Sequence, residues 1–303
     1  MQVYHTPELL SHPSVVTFGN FDGVHLGHLA LLSTLSSVGK SAALHRVVVT
    51  FDPHPFCFLN CKKDFLITDQ CTKIALLSPY VDSLYFVKFD DELRKLSPED
   101  FLQFLSSFLN FRCLVNAENC RFGRFSSGSI TEIKKYQELL SYKAVIIKPE
   151  VNASGSRYSS TLVRAGIKNG DVLSVRQLLG RYHSIRGIIR RDRGLASTIG
   201  FPTINIAIPE DIIKPKLGVY VVDISIEGTR YGGIANIGKR PTTSDSGEVI
   251  LEAHIFHFSD NVYGKEATVY LKAFLREEKL FSSLEELKEQ ILADIRAALS
   301  MNF

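Results

Sequence analysis

The chain has 303 residues, enough for two domains of ordinary size. It is 45% hydrophobic and 22% charged, the profile of a soluble globular protein, and a net charge of +3 is too slight to argue for a nucleic-acid or membrane-surface partner. The start lacks the basic and apolar pattern of a signal peptide, no apolar run approaches the roughly 20 residues of a membrane helix, and five cysteines without zinc-like pairing read as reduced thiols in the cytoplasm.

In chain order, Val15-Val16-Thr17-Phe18 reads as a buried strand. The stretch from Thr17 to His28 follows, and its Gly19, Gly23 and Gly27 allow a tight turn and close approach to a ligand. Leu29-Ala30-Leu31-Leu32 reads as the beginning of a helix, so His25 and His28, three apart, converge on one face. The helix N-terminus adds free N–H groups and partial positive charge, a combination suited to phosphate. Capping and packing would use the same histidines, and zinc would need a third ligand that does not lie near in sequence. His-x-Gly-His after such a strand resembles the nucleotidyltransferase superfamily, which includes relatives of class I aminoacyl-tRNA synthetases.

Further apolar runs lie at 46–50, 84–89, 113–115 and 144–148, with helical patterns at 98–111 and 130–142 between them. Ser97-Pro98 is a helix start, with Ser97 as cap. Strands alternating with helices predict a parallel sheet covered on both faces, with ligands at the carboxyl ends of the strands. Asp52-Pro53-His54-Pro55 follows one strand and is either a stiff turn or a cleft wall. Glu118-Asn119-Cys120-Arg121-Phe122-Gly123 follows another, where Asn119 could meet a base or ribose and Arg121 a phosphate. Ser159, Ser160 and Thr161 precede a helix, with Arg164 one turn on, and three hydroxyls at a helix start fit an anion better than capping alone.

The texture changes near Gly180. A helix is expected over 171–179, then alternating, glycine-punctuated segments at 219–227, 231–237, 250–258 and 267–274 predict a small barrel. Leu284, Leu287, Ile291, Ile295 and Leu299 form the stripe of a final amphipathic helix expected to pack on that barrel. In Gly200-Phe201-Pro202-Thr203-Ile204-Asn205, Thr203 and Asn205 share a strand face and together suit Mg²⁺, although a plain edge strand would look the same. Glu252 and His254 share a face in the 250–258 run.

Taken together these motifs resemble the bacterial bifunctional riboflavin kinase/FAD synthetase family. In the first half the likeness is carried by residues 18–28, Thr50 to Pro55, Arg121-Phe122-Gly123 and Ser159 to Arg164. In the second half it is carried by Gly200 to Asn205, Gly218-Val219-Tyr220, Asn236 to Thr242, Leu251-Glu252, Tyr263-Gly264-Lys265 and Leu275 to Phe281. The resemblance implies an α/β plus β-barrel chain. A Rossmann-like FMN adenylyltransferase domain at 1–180 would precede a six-stranded riboflavin kinase barrel with a C-terminal helix at 181–303.

It further implies that ATP and Mg²⁺ convert riboflavin to FMN in the barrel, and that a second ATP converts FMN to FAD in the first domain, with no nucleic-acid or membrane partner. Glu252 would be the general base, and Thr203 and Asn205 the Mg²⁺ ligands. His25 and His28 would stabilise phosphate charge. Gly19, Asn20, Phe21, Asp22, Asn119, Arg121, Ser159, Ser160, Thr161, Arg164, Gly200, Pro202 and Arg276 would bind nucleotide or flavin. The chain departs from the family at Ala117 and Cys120, and at Asp192, Ala196 and Ser197 within a run where glycines and an arginine are usual. A tRNA-charging enzyme, a member with one degenerate half, and a non-catalytic flavin or nucleotide sensor are the competing readings.

Overall fold

The computed structural model describes residues 1–151, 155–191, 200–239 and 248–301. The altered run at 192–197 and the 240–242 part of the second-half resemblance lie outside the described residues. The chain divides into two compact units, Met1–Lys63 with Gln70–Ser160, and Asp64–Asp69 with Thr161–Phe303.

The first unit is built on strands β1 (Gln2–Tyr4), β2 (Ser14–Phe18), β3 (His45–Asp52), β4 (Ser83–Lys88), β5 (Phe111–Ala117) and β6 (Lys143–Ile147). Their order is β1-β4-β3-β2-β5-β6, and every neighbouring pair is parallel. All five residues of β2 are buried, as a central parallel strand requires. Alternation sends Val16, Phe18, Val47 and Val49 to one core, shared with Leu102 and Leu105. It sends Val15 and Val48 to the other, shared with Leu31, Leu32 and Leu35.

The helices here are α1 (Leu26–Ser41), α2 (Pro55–Asn60), α3 (Gln70–Leu77), α4 (Pro98–Leu109) and α5 (Ile130–Lys135). Ser97 caps α4 by accepting the Asp100 N–H at 3.1 Å. The pattern at 130–142 is helical only to Lys135. Tyr142 folds back instead, and its hydroxyl donates to the Ile133 carbonyl in that short helix.

The second unit opens with α6, which spans the junction at Ser160–Asn169, and α7 (Val172–Leu179). The units divide ahead of these helices, whereas the sequence texture changes near Gly180. Val172 of α7 packs into the barrel core, which explains where α7 belongs. Strands β7 (Ser184–Ile188), β8 (Thr203–Ala207), β9 (Gly218–Ile226), β10 (Thr229–Lys239), β11 (Val249–Ile255) and β12 (Glu266–Arg276) follow. Their antiparallel order is β7-β12-β9-β10-β11-β8. The two edges meet where Arg190 N–H donates to the Asn205 carbonyl at 2.8 Å, closing a six-stranded barrel. Alternation on β11 buries Leu251, Ala253 and Ile255 and leaves Glu252 and His254 half-exposed on the other face.

The last helix, α8 (Leu284–Ser300), is capped by Ser283. Its packed face is narrower than the sequence stripe. Ile291, Ile295 and Ala298 meet Val221 and Ile234, whereas Leu284 and Leu299 are 46% and 59% exposed.

Candidate active sites

In the first unit, the strand order reverses at β2, which has β3 on one side and β5 on the other. In open α/β sheets the crevice at such a point binds ligands. The loop leaving β2 contains Gly19, Asn20, Phe21 and Asp22, then enters α1 three residues before the expected helix start. It does so because His25 is the cap: its Nδ1 accepts the His28 N–H at 3.3 Å. The two imidazoles stack at 3.7 Å between centroids, and Phe21 lies 5.1 Å from His28. Gly27 suits this arrangement, since a Cβ there would stand 3.2 Å from the His25 ring and 3.1 Å from Tyr158 Cβ.

The loop is strained. Phe21 and Val24 occupy left-handed backbone at φ 46° and 39°. It is held from several elements. The Asn20 carbonyl accepts from Thr50 Oγ1 at 3.0 Å and from Lys73 Nζ at 3.1 Å, and the Asp22 carbonyl accepts from Ser160 Oγ at 2.8 Å. Phe21, Asp22 and His25 are buried, and His28 is half-buried. The structure thus gathers Gly19 to Asp22, His25, His28 and Ser160 into one constellation.

Asn119 and Arg121 stand exposed on the loop after β5, at the same carboxyl edge, with Arg121 Nη1 donating to the Cys120 carbonyl at 3.0 Å. Cys120 packs against the core under that loop, and burial pushes its thiol up to about 12. His54 is a cap: its Nδ1 accepts the Phe56 N–H at 3.1 Å. Ser159 is half-buried beside Ser160. Thr161 and Arg164 fall in the second unit, where Arg164 donates to the Phe65 carbonyl at 2.9 Å and lies 3.7 Å over the Phe65 ring.

Lys73 has no counterpart among the residues expected from motifs. Its signal is nevertheless legible: it stands one helical turn before Leu77, on the buried side of α3.

The second unit carries an open cleft of about 150 Å³ lined by Thr203, Glu252, His254, Arg276, Asn236 and Glu278, among others. Thr203 Oγ1 donates to Glu252 Oε1 at 2.7 Å. Asn205 pairs with Glu252 across β8 and β11, and Thr203 with His254. His254 Nδ1 lies 2.9 Å from the Pro202 carbonyl, which can only accept, so the ring carries its proton there. Gly200 supplies a left-handed turn at φ 92° before this segment. Arg276 is engaged in a fork with Asp294 of α8, Nη2 to Oδ2 at 2.8 Å and Nε to Oδ1 at 3.0 Å. Asp294 is 5% exposed and also accepts from Gln290 Nε2 at 2.9 Å.

The donor set fits a hard divalent cation. Thr203 gives its proton to Glu252 and keeps its oxygen lone pairs. Asn205 is buried, and its side-chain oxygen is the atom it would offer a cation. Among the described residues no cluster of three His, Cys, Asp or Glu forms a protein cage. Oxygen donors few in number match Mg²⁺, which completes its shell with water and phosphate.

Residues 8–162 match the family described as FAD synthetase, and residues 179–302 match riboflavin kinase. A bifunctional riboflavin kinase/FMN adenylyltransferase of Buchnera aphidicola subsp. Schizaphis graminum is 34% identical over 296 residues, covering 96% of this chain and 95% of that one. The protein of the same description from Listeria monocytogenes is 33% identical over 294 residues, covering 95% and 92%. A crystal structure from Streptococcus pneumoniae, described as a macrolide-efflux protein, has a TM-score of 0.91 at 27% identity over all of both chains. Among the described residues of this chain, no helix is long and apolar enough to cross a membrane. Two matched domains in one chain, and relatives aligned nearly end to end, carry one conclusion: the chain belongs to the bifunctional riboflavin kinase/FMN adenylyltransferase family.

Proposed function

We propose that this chain makes FAD from riboflavin in two steps, with the kinase in the second unit and the adenylyltransferase in the first, and that it works in the cytoplasm. The observation that supports this most directly is that each unit holds its own reactive constellation: the stacked histidine pair in one, the Thr203–Glu252 bond in the other.

In the barrel, the riboflavin 5′-hydroxyl attacks the γ-phosphorus of ATP, the bond from that phosphorus to the β–γ bridging oxygen breaks, and ADP leaves. Glu252 accepts the hydroxyl proton through Oε2, because Oε1 is occupied by Thr203. Thr203 and Asn205 would hold Mg²⁺, which when bound neutralises phosphate charge. Arg276, held by Asp294, lines the same cleft and would contact nucleotide or flavin there.

In the first unit, the FMN phosphate attacks the α-phosphorus of a second ATP and pyrophosphate leaves. FMN supplies the nucleophile, so the protein aligns and stabilises charge. His25 Nδ1 is committed to the His28 N–H, which leaves Nε2 of the neutral ring as its N–H donor. His25 and His28 act on the transferring phosphates, and Gly19 to Asp22 let nucleotide approach the backbone. Asn119 and Arg121 reach it from the loop after β5.

The test is incubation of pure protein with riboflavin, ATP and Mg²⁺, with flavins separated by chromatography. FMN should appear first and FAD after it. Accumulation of FMN without FAD, or no turnover of riboflavin, would refute the bifunctional reading.

A further inference from the structure

Lys73 is 6% exposed, a burial at which an ammonium needs a reason. The Asn20 carbonyl, 3.1 Å from Nζ, is its hydrogen-bond acceptor among the described residues. Burial lowers its pKa against the opposing pull of the Asp22 and Asp52 carboxylates and of Cys57.

Asn20 precedes a turn that an ordinary chain avoids. Phe21 sits at φ 46° and Val24 at φ 39°, one aromatic and one β-branched residue in left-handed backbone. Such residues persist only where the surroundings over-determine them. The Phe21 ring is 1% exposed and lies 5.1 Å from the His28 ring, which stacks at 3.7 Å on His25. A displacement of Asn20 would therefore pass through Phe21 to both imidazoles. Thr50 of β3 and Lys73 of α3 both donate to the Asn20 carbonyl.

We propose that Lys73 is a positioning residue of the adenylyltransferase site, whose buried ammonium pins the Asn20 carbonyl and so holds the turn that presents His25 and His28. The proposal rests on the reading of the first unit as the adenylyltransferase. An ammonium is suited to the task because it bonds the carbonyl while the nearby carboxylates oppose the burial cost.

The test is Lys73→Met, an apolar side chain of similar length, in the full chain. The same preparation is assayed for riboflavin phosphorylation and for FMN adenylylation. Misplacing reacting groups by about 1 Å costs on the order of a hundredfold. The kcat for FMN adenylylation should therefore fall about ten- to a hundredfold, with KM for ATP and FMN changing less than about threefold and riboflavin phosphorylation kept. Amide hydrogen exchange of residues 19–28 should quicken. An unchanged kcat, a rise in KM for ATP with kcat kept, equal loss of both activities, or unchanged exchange in that loop would each overturn the proposal. Absence of FMN adenylylation in the unsubstituted protein would instead refute the reading of the unit itself.

Discussion

The hydroxyl of Thr203 on β8 and the carboxylate of Glu252 on β11 are joined by a 2.7 Å hydrogen bond between neighbouring strands of the barrel. The bond orients the carboxylate and leaves the hydroxyl oxygen open toward a cation. One contact thereby links the residue read as base to a residue read as metal ligand.

Glu252→Gln preserves the size of the side chain and removes the proton acceptor. General-base loss costs about 10²–10⁴-fold, so FMN formation from riboflavin should fall on that scale. FAD formation from supplied FMN should be unchanged, because an ionised phosphate needs no base. Measuring both from one preparation is decisive: full activity from riboflavin would remove Glu252 from the mechanism.

His28→Ala is the mirror experiment. It removes the imidazole stacked on His25 in the strained loop. Losing one electrostatic stabiliser costs about 10²-fold or more, here in FMN adenylylation, with riboflavin phosphorylation intact. Near-normal FAD synthesis would contradict the role.

Arg276 and Asp294 make a separable prediction about stability. Asp294→Ala leaves a guanidinium that is only 17% exposed without its carboxylate. Breaking such a pair costs about 3 kcal/mol, readable as a lowered urea midpoint for unfolding of the second unit. The double replacement Arg276→Met, Asp294→Leu should recover most of that stability, because no buried charge is orphaned. Kinase activity should remain low in the double variant if Arg276 serves the cleft.

The Arg46–Asp82 pair predicts a pH dependence in the first unit. Hydrogen bonds from the Arg46 side chain and backbone hold the Asp82 carboxyl down to about 2. Its unfolded value is about 3.9. The folded value is the lower one, so the pair's stabilisation is present above about pH 4 and is lost as pH falls toward 2. Asp82 is 35% exposed, so solvent screening limits its worth to about 1 kcal/mol at neutral pH. Asp82→Asn should lose that amount at pH 7 and progressively less as pH falls through about 2 in urea unfolding. A gap that persists at low pH would refute the assignment.

Much of this was legible residue by residue. The β2 run, the Ser97 cap, the alternation on β11 and the histidine pair follow from neighbours in the chain, because strand and helix periods are local properties. The strand at Ser184–Ile188 was not anticipated, and its pairing with β12 explains why: its place is set by a partner some 80 residues on. Lys73 and Asp294 carried a faint signal, a charged residue on the buried side of a helix, but no motif named them.

By itself, the sequence determined the family motifs, the alternating first half and the barrel-like second half, and it singled out the candidate site residues, since each depends on residue type and short spacing. Only the tertiary structure decided which of them act on one another. Lys73 finds Asn20 across 53 positions, Thr203 finds Glu252 across 49, and Arg276 finds Asp294 across 18. Those meetings depend on strand order, register and helix docking, which are set by burial of the whole core and are written in no local pattern.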